Sequence, residues 1–130
     1  YPYIKVKCDC VSDVVPDCDG TSFTLTLGGE SKRVRTKLLG GHAANNIGLC
    51  AQCAYEMGVS FDDICASIAS LEFVEHRLQL IKSNGVNIID DGYNANVKGA
   101  EAALEVLKTF GGSKIVVTPG LVELGILDRE

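Results

Sequence analysis

No apolar run in this chain approaches the ~20 residues a membrane-spanning helix requires, and no positively charged stretch followed by an apolar one opens it. Neither membrane insertion nor a visible secretory signal is therefore expected. There is no basic block. The densest positive run, Lys32-Arg33-Val34-Arg35-Thr36-Lys37, alternates charge as the wet face of a strand does, and the formal net charge is −5. Both features count against nucleic-acid binding. Internal repeats and low-complexity segments are also missing.

What is present fits an ordinary globular chain: 130 residues, 46% hydrophobic and 22% charged, enough for a normal core and about one domain. Six cysteines do not resolve into a metal site. Cys50 and Cys53 form a CxxC, but inside a helical pattern rather than in a knuckle or at a strand-to-helix turn. Cys8 and Cys10 have the wrong spacing for a second pair. Small buried hydrophobe is the expected role for most of these thiols, and a reducing cytosol their expected setting.

Periodicity gives a coarse map. Residues 3–11 and 21–27 alternate as strands; in the second, Phe23, Leu25 and Leu27 share one face. Gly28-Gly29 turns the chain into a return strand over 31–38, a hairpin. Residues 43–57 read as a helix with Ile47, Cys50, Ala51 and Ala54 on its apolar stripe and Gly58 as its stop. Ser60-Phe61-Asp62-Asp63 resembles a capping box and opens a helix to about residue 71. The pattern breaks at 73–77, a possible hinge position. Residues 78–82 and 86–89 flank Ser83-Asn84-Gly85 as a second hairpin. A helix over 98–110, stopped by Gly111-Gly112, and a short buried-type strand over 115–118 complete a β-α-β order, which predicts a parallel pair. One such unit leaves a sheet face uncovered, so the expectation is a piece of a longer chain.

Three polar foci interrupt this map. The richest is Asp90-Asp91-Gly92-Tyr93-Asn94-Ala95-Asn96, where two carboxylates, a phenol and two amides gather between a strand end and a helix start. In open α/β sheets ligands bind outside the carboxyl ends of strands, although turns are rich in Asn, Asp and Gly in any case. The second is Gly40-Gly41-His42-Ala43-Ala44-Asn45-Asn46, a Gly-rich turn entering a helix N-terminus. Two readings stay open there: an anion site on free N–H groups, or a plain cap by His42 or Asn45. The third is Glu75-His76-Arg77 at the hinge position, where an arginine is ordinarily a solvated surface residue.

In this order and spacing the three foci resemble the Mur ligase family of bacterial cell-wall enzymes. The residues that carry the resemblance are Leu39-Gly40-Gly41-His42-Ala43-Ala44-Asn45-Asn46, His76-Arg77 and Asp90-Asp91-Gly92-Tyr93-Asn94-Ala95-Asn96, with Thr118-Pro119-Gly120-Leu121-Val122-Glu123-Leu124-Gly125 after the last strand. The Tyr-Asn-Ala-Asn run is most similar to that of the members that add D-alanyl-D-alanine. The resemblance implies an α/β fold: the second half of a central ATP-binding domain (residues 1–74), then the first half of a Rossmann-like C-terminal domain (75–130). It implies an ATP-dependent amide ligase that joins D-alanyl-D-alanine to UDP-N-acetylmuramoyl-tripeptide through an acyl phosphate, in the bacterial cytoplasm. ATP and Mg2+ are the implied cofactors. ATP-site roles fall on Asn46 (adenine), Arg77 (phosphates) and Asp91 (ribose), with His42, Tyr93 and Asn94 beside them.

The chain departs from the family pattern in four ways. Ala43 replaces the first asparagine of the helix-start motif, Gly92 the usual serine and Val97 the usual proline, and Phe73-Val74-Glu75 lacks the common proline-glycine hinge. The family's Gly-x-x-Gly-Lys-[Ser/Thr] loop occurs nowhere in these residues, and the family's Mg2+ ligands are expected upstream. Phosphoryl transfer depends on cations positioned around the phosphates, so the 130 residues alone are expected not to turn over ATP. Two alternatives share these features: a folylpolyglutamate- or cyanophycin-type ligase, and a degenerate nucleotide-binding module without catalysis.

Overall fold

The computed structural model describes residues 9–93 and 96–120. The chain divides into two compact units, Tyr1–Glu72 and Phe73–Glu130.

The first unit is a three-stranded antiparallel sheet, β1 (Val11–Asp17), β2 (Gly20–Leu27) and β3 (Glu30–Thr36) in the order β1-β2-β3, with helices α1 (Gly41–Glu56) and α2 (Phe61–Ser70) packed on it. The alternation expected for the central strand holds: Phe23, Leu25 and Leu27 are buried. Gly28 and Gly29 both have positive φ, as a two-residue hairpin turn of the primed type requires. Thr21 and Thr36 are buried hydroxyls with partners. Thr21 donates to the Leu38 carbonyl at 2.8 Å, and Thr36 accepts from the Leu38 N–H at 3.3 Å.

The core gathers Phe23, Leu25, Leu27 and Val34 from the sheet, Ala44, Ile47 and Ala51 from α1, and Phe61, Ile64 and Ile68 from α2. α2 buries residues at i, i+3 and i+7, one helical face. Its expected start is correct: the Ser60 hydroxyl accepts the Asp63 N–H at 3.2 Å. Ser60→Ala is expected to cost about 1 kcal/mol and to lower the melting temperature by roughly 4–8 °C, whereas Ser60→Gly should cost only a few tenths. Thermal unfolding followed by circular dichroism checks this; equal losses in the two variants would show that the cap is idle.

The strand expected over 3–11 lies mainly outside the described residues, and the strand that is observed, β1, was not expected. Asp13 and Pro16 break its alternation, but β1 is an edge strand. It tolerates a bulge between Ser12 and Val15 and a proline without a ladder N–H. Cys50, expected on the buried stripe of α1, is exposed, as is Cys53. The stripe turns instead toward Ala43, Ala44 and Gly48, and of the five described cysteines only Cys10 is buried.

The second unit contains an antiparallel hairpin, β4 (Gln79–Ser83) and β5 (Val86–Asp90), then helix α3 (Val97–Lys108). Asn84 and Gly85 close the hairpin with positive φ, as their sequence suggests. α3 begins at Asn96, whose side chain accepts the Gly99 N–H at 2.8 Å. The strand expected over 115–118 does not form. Those residues pair with no strand among the described residues, and Ile115, Val116 and Val117 are exposed, Val117 at 93%. Their run of apolar residues signals a tendency to pair, but they pair with neither β4 nor β5. The expected parallel pair is therefore corrected to an antiparallel hairpin followed by a helix. No helix among the described residues is long and apolar enough to cross a membrane.

Candidate functional site

The second unit gathers its candidate side chains where β5 ends. The carboxylates of Asp90 and Asp91 both fold back onto the loop that precedes β4. His76 Nδ1 donates to Asp90 Oδ2 at 2.8 Å, and the other oxygen of Asp90 accepts the Gly92 N–H at 3.1 Å. Asp91 Oδ1 accepts the Leu78 N–H at 3.1 Å. A third tie runs from the Tyr93 N–H to the His76 carbonyl at 3.1 Å. The segment 76–78 is thus stitched to 90–93 at three points.

The stitching holds an unusual backbone. His76 and Leu78 both have left-handed φ, 60° and 46°, a region non-glycine residues occupy uncommonly because Cβ crowds the following carbonyl. Between them, Arg77 lies with its guanidinium carbon 4.2 Å from the centroid of the Tyr93 ring, within cation–π range. Tyr93 is 67% exposed, so the cation rests on an aromatic platform open to solvent.

The charges reinforce one another. The bond to Asp90 raises the His76 pKa, helped by the charges of Asp90 and Glu75. The same bond, then the Gly92 N–H, lowers that of Asp90. A raised imidazole pKa contributes stability that is complete below its unfolded value and lost as pH rises through the folded one. A lowered carboxyl pKa contributes stability that is present above its unfolded value and lost as pH falls through the folded one. The ion pair therefore exists in the window between the two folded values. With side chains 60% and 28% exposed, it is a modest, salt-screened interaction.

The helix-start motif belongs to the first unit. The residue capping α1 is Gly40, at φ 86°, which has no side chain to make a cap bond, so neither His42 nor Asn45 is the N-cap residue. His42 and Asn46 are exposed and one turn apart on α1, neighbours on one surface. Ala43 is buried on the core side. Asn94 lies outside the described residues. Asn96 proves to be a helix cap.

Two members of the site carried no role in the sequence reading, His76 and Asp90. The signal was available in their neighbours: a His-Arg pair and an Asp-Asp pair, each with one residue facing its counterpart. Among the described residues no group of three or more His, Cys, Asp and Glu is placed to hold a metal ion. Asp90 and Asp91 point to different partners rather than converging.

The second unit therefore offers an exposed guanidinium laid on Tyr93 and a partly buried carboxylate bonded to the N–H of the residue that follows it. Such a pair can bind a phosphate ester and a vicinal diol together, since guanidinium forks onto phosphate oxygens and a carboxylate accepts from hydroxyls.

Comparison with known proteins agrees in kind. No family model matches the chain. It is 36% identical over 107 residues to UDP-N-acetylmuramoyl-tripeptide–D-alanyl-D-alanine ligase of Escherichia coli (strain K12), covering 82% of this chain and 24% of that protein. Among solved structures it is similar to MurF from Acinetobacter baumannii, with a TM-score of 0.74 and 28% identity over 78% of this chain and 22% of that one. MurF ligase from Thermotoga maritima in complex with ADP shares the fold at a TM-score of 0.68 and 24% identity, over 78% of this chain and 24% of that one. The chain spans about a quarter of the length of the relatives it matches.

Proposed function

This chain is a stretch of Mur-ligase-family sequence, and from that premise we propose that it forms one wall of the ATP site of a bacterial, cytoplasmic amide ligase. On this reading the first unit is the end of a central ATP-binding domain and the second the start of a Rossmann-like domain. The whole protein joins D-alanyl-D-alanine to UDP-N-acetylmuramoyl-tripeptide. ATP phosphorylates the tripeptide carboxylate, the dipeptide amine attacks the acyl phosphate, and the tetrahedral intermediate collapses to amide and phosphate. Mg2+, when bound, would supply charge neutralisation on the phosphates, with ligands expected from the rest of the full-length protein, and Asp90 and Asp91 serve His76 and Leu78.

The observation that carries this proposal is that Arg77 is laid on Tyr93 while Asp91, at the end of β5, holds the N–H of Leu78, the residue after Arg77. In the second unit Arg77 is proposed for the phosphates and Asp91 for the ribose hydroxyls, with Tyr93 beside them; in the first, Asn46 is proposed for the adenine edge, with His42 beside it.

The test is kinetic, on the full-length protein that contains this sequence. Asp91→Ala is expected to raise the apparent KM for ATP roughly 10–100-fold, the worth of hydrogen bonds to a charged group, with a smaller change in kcat. Asp91→Asn keeps an acceptor for Leu78 and separates the loop role from the ribose role. An ATP KM unchanged in Asp91→Ala would remove the ribose assignment, and turnover with other acceptor amines but not with D-alanyl-D-alanine would move the acceptor to another class.

A further inference from the structure

The site holds one arrangement that nucleotide binding does not require: two left-handed, non-glycine residues flanking Arg77. We propose that His76 is a positioning residue for Arg77: its imidazole, bonded to Asp90, holds the left-handed turn that lays the guanidinium on Tyr93, and makes presentation of that cation proton-dependent. The phosphate as target rests on the proposed function; the positioning role does not.

The argument starts from strain. A histidine at φ 60° persists only where its surroundings over-determine it. Here the His76 side chain bonds to Asp90, its carbonyl accepts from Tyr93, and Leu78, the second left-handed residue, donates to Asp91. The backbone N–H of Arg77 turns back to the Val74 carbonyl at 3.1 Å. The side chain of Arg77 is thereby directed onto a ring whose own N–H is bonded to His76. Loosening His76 releases both ends of the stack at once, the turn that aims Arg77 and the tie that holds Tyr93.

Of the four ties to 90–93 and Val74, only the His76–Asp90 bond changes charge near neutral pH. The titratable and charged groups around the imidazole are Asp90 from β5, Asp91 and Tyr93 just beyond it, and Glu75 and Arg77 on its own segment. Asp90 first, and Glu75 after it, favour the imidazolium, and the little burial there is opposes it. While His76 is protonated both partners of the bond are charged, and the bond is at its strongest. As pH rises through its raised folded pKa the bond keeps its geometry but loses that charge, and the strained turn loses support.

The experiment is an NMR pH titration of the whole 130-residue chain. The His76 ring carbons report protonation, and the Arg77 δ-methylene protons report stacking through the upfield shift that the Tyr93 ring imposes. The Arg77 signal is expected to move away from its upfield position with the same midpoint as His76. His42, the only other histidine, gives the comparison midpoint. In His76→Asn, which tolerates the left-handed region and can donate to Asp90 but cannot titrate, the Arg77 signal should stay upfield and flat over that range. In Asp90→Asn the His76 midpoint should fall to lower pH, and the upfield displacement of Arg77 should shrink. An Arg77 signal that ignores the His76 midpoint, or that still titrates in His76→Asn, would overturn the proposal. Inorganic tripolyphosphate added on either side of the midpoint separates the two readings. Weaker binding at the higher pH, abolished as a pH difference in His76→Asn, supports both. Coupling without any tripolyphosphate response upholds the positioning role and overturns the phosphate reading alone.

Discussion

Arg77→Ala in the full-length protein is expected to lower kcat by about 10²–10³-fold, the scale seen when a pre-aimed donor to developing charge is removed, while the KM for ATP changes far less. The reason lies in how the side chain is held. Its guanidinium sits 4.2 Å from the Tyr93 centroid, so the cation is oriented before any ligand arrives. Phosphoryl transfer gains most from charges that need no reorganisation when the bond breaks. Arg77→Lys should recover only part of the loss, because an ammonium keeps the charge but loses the planar fork and most of the stacking. The Arg77 tie to Val74 is made by the backbone N–H and survives both substitutions, so the fold of the hairpin should be unaffected. Steady-state kinetics on the two variants decides the matter: a kcat within twofold of the parent in Arg77→Ala would remove Arg77 from the reaction.

The largest effect on stability is expected at Phe23. It is fully buried on the central strand, at the middle of the cluster drawn from the sheet and both helices. Phe23→Ala removes most of a large side chain where the sheet and helices have little freedom to collapse, a change that costs about 3–5 kcal/mol. A small domain holds only about 5–15 kcal/mol in total, so the first unit should be close to its unfolding threshold at 37 °C. Thr26→Ala, three positions along the same strand on its exposed face, should fall within about 0.5 kcal/mol of the parent. Urea unfolding of the two variants gives the contrast directly, and a Phe23→Ala loss below that of Thr26→Ala would mean the core is not where burial places it.

Elements whose signal is local were legible from sequence. Alternation marked Phe23, Leu25 and Leu27, Asn84-Gly85 marked the second hairpin, and Ser60 marked the start of α2, because each depends on residues within a few positions of one another. What sequence hid depends on distant partners. β1 was missed because Pro16 and Asp13 are acceptable only on an edge, and being an edge is a property of the sheet order. Cys50 was placed on the wrong side because the buried stripe of α1 was read without Gly48, which is buried. Ile115 to Val117 were read as a strand on composition, which measures a tendency to pair and cannot supply a partner. At the candidate site the chemical types were readable, but the assignments inside the cluster were not. Asn96 is a cap, Asp91 also supports the Leu78 N–H, and Asp90 serves His76. The Asp90 and Asp91 roles follow from residues 76–78 folding against a strand end 13 and 14 residues further on, a longer reach than the period of any single element.

The two sheets treat their outer strands differently. In the first, β1 carries a bulge and Pro16, and β3 carries Lys32, Arg33 and Arg35, devices that discourage a foreign strand from docking. In the second, β4 and β5 pair only with each other among the described residues, and Ile81, Val86 and Ile88 are exposed along them. Such a ribbon presents bare ladder groups beside β-branched side chains, the combination from which strand-to-strand aggregation begins. The same hairpin that aims Arg77 is thus the place where concentrated solutions of this chain would first lose monomer, so its colloidal behaviour and its chemistry are governed by one short ribbon.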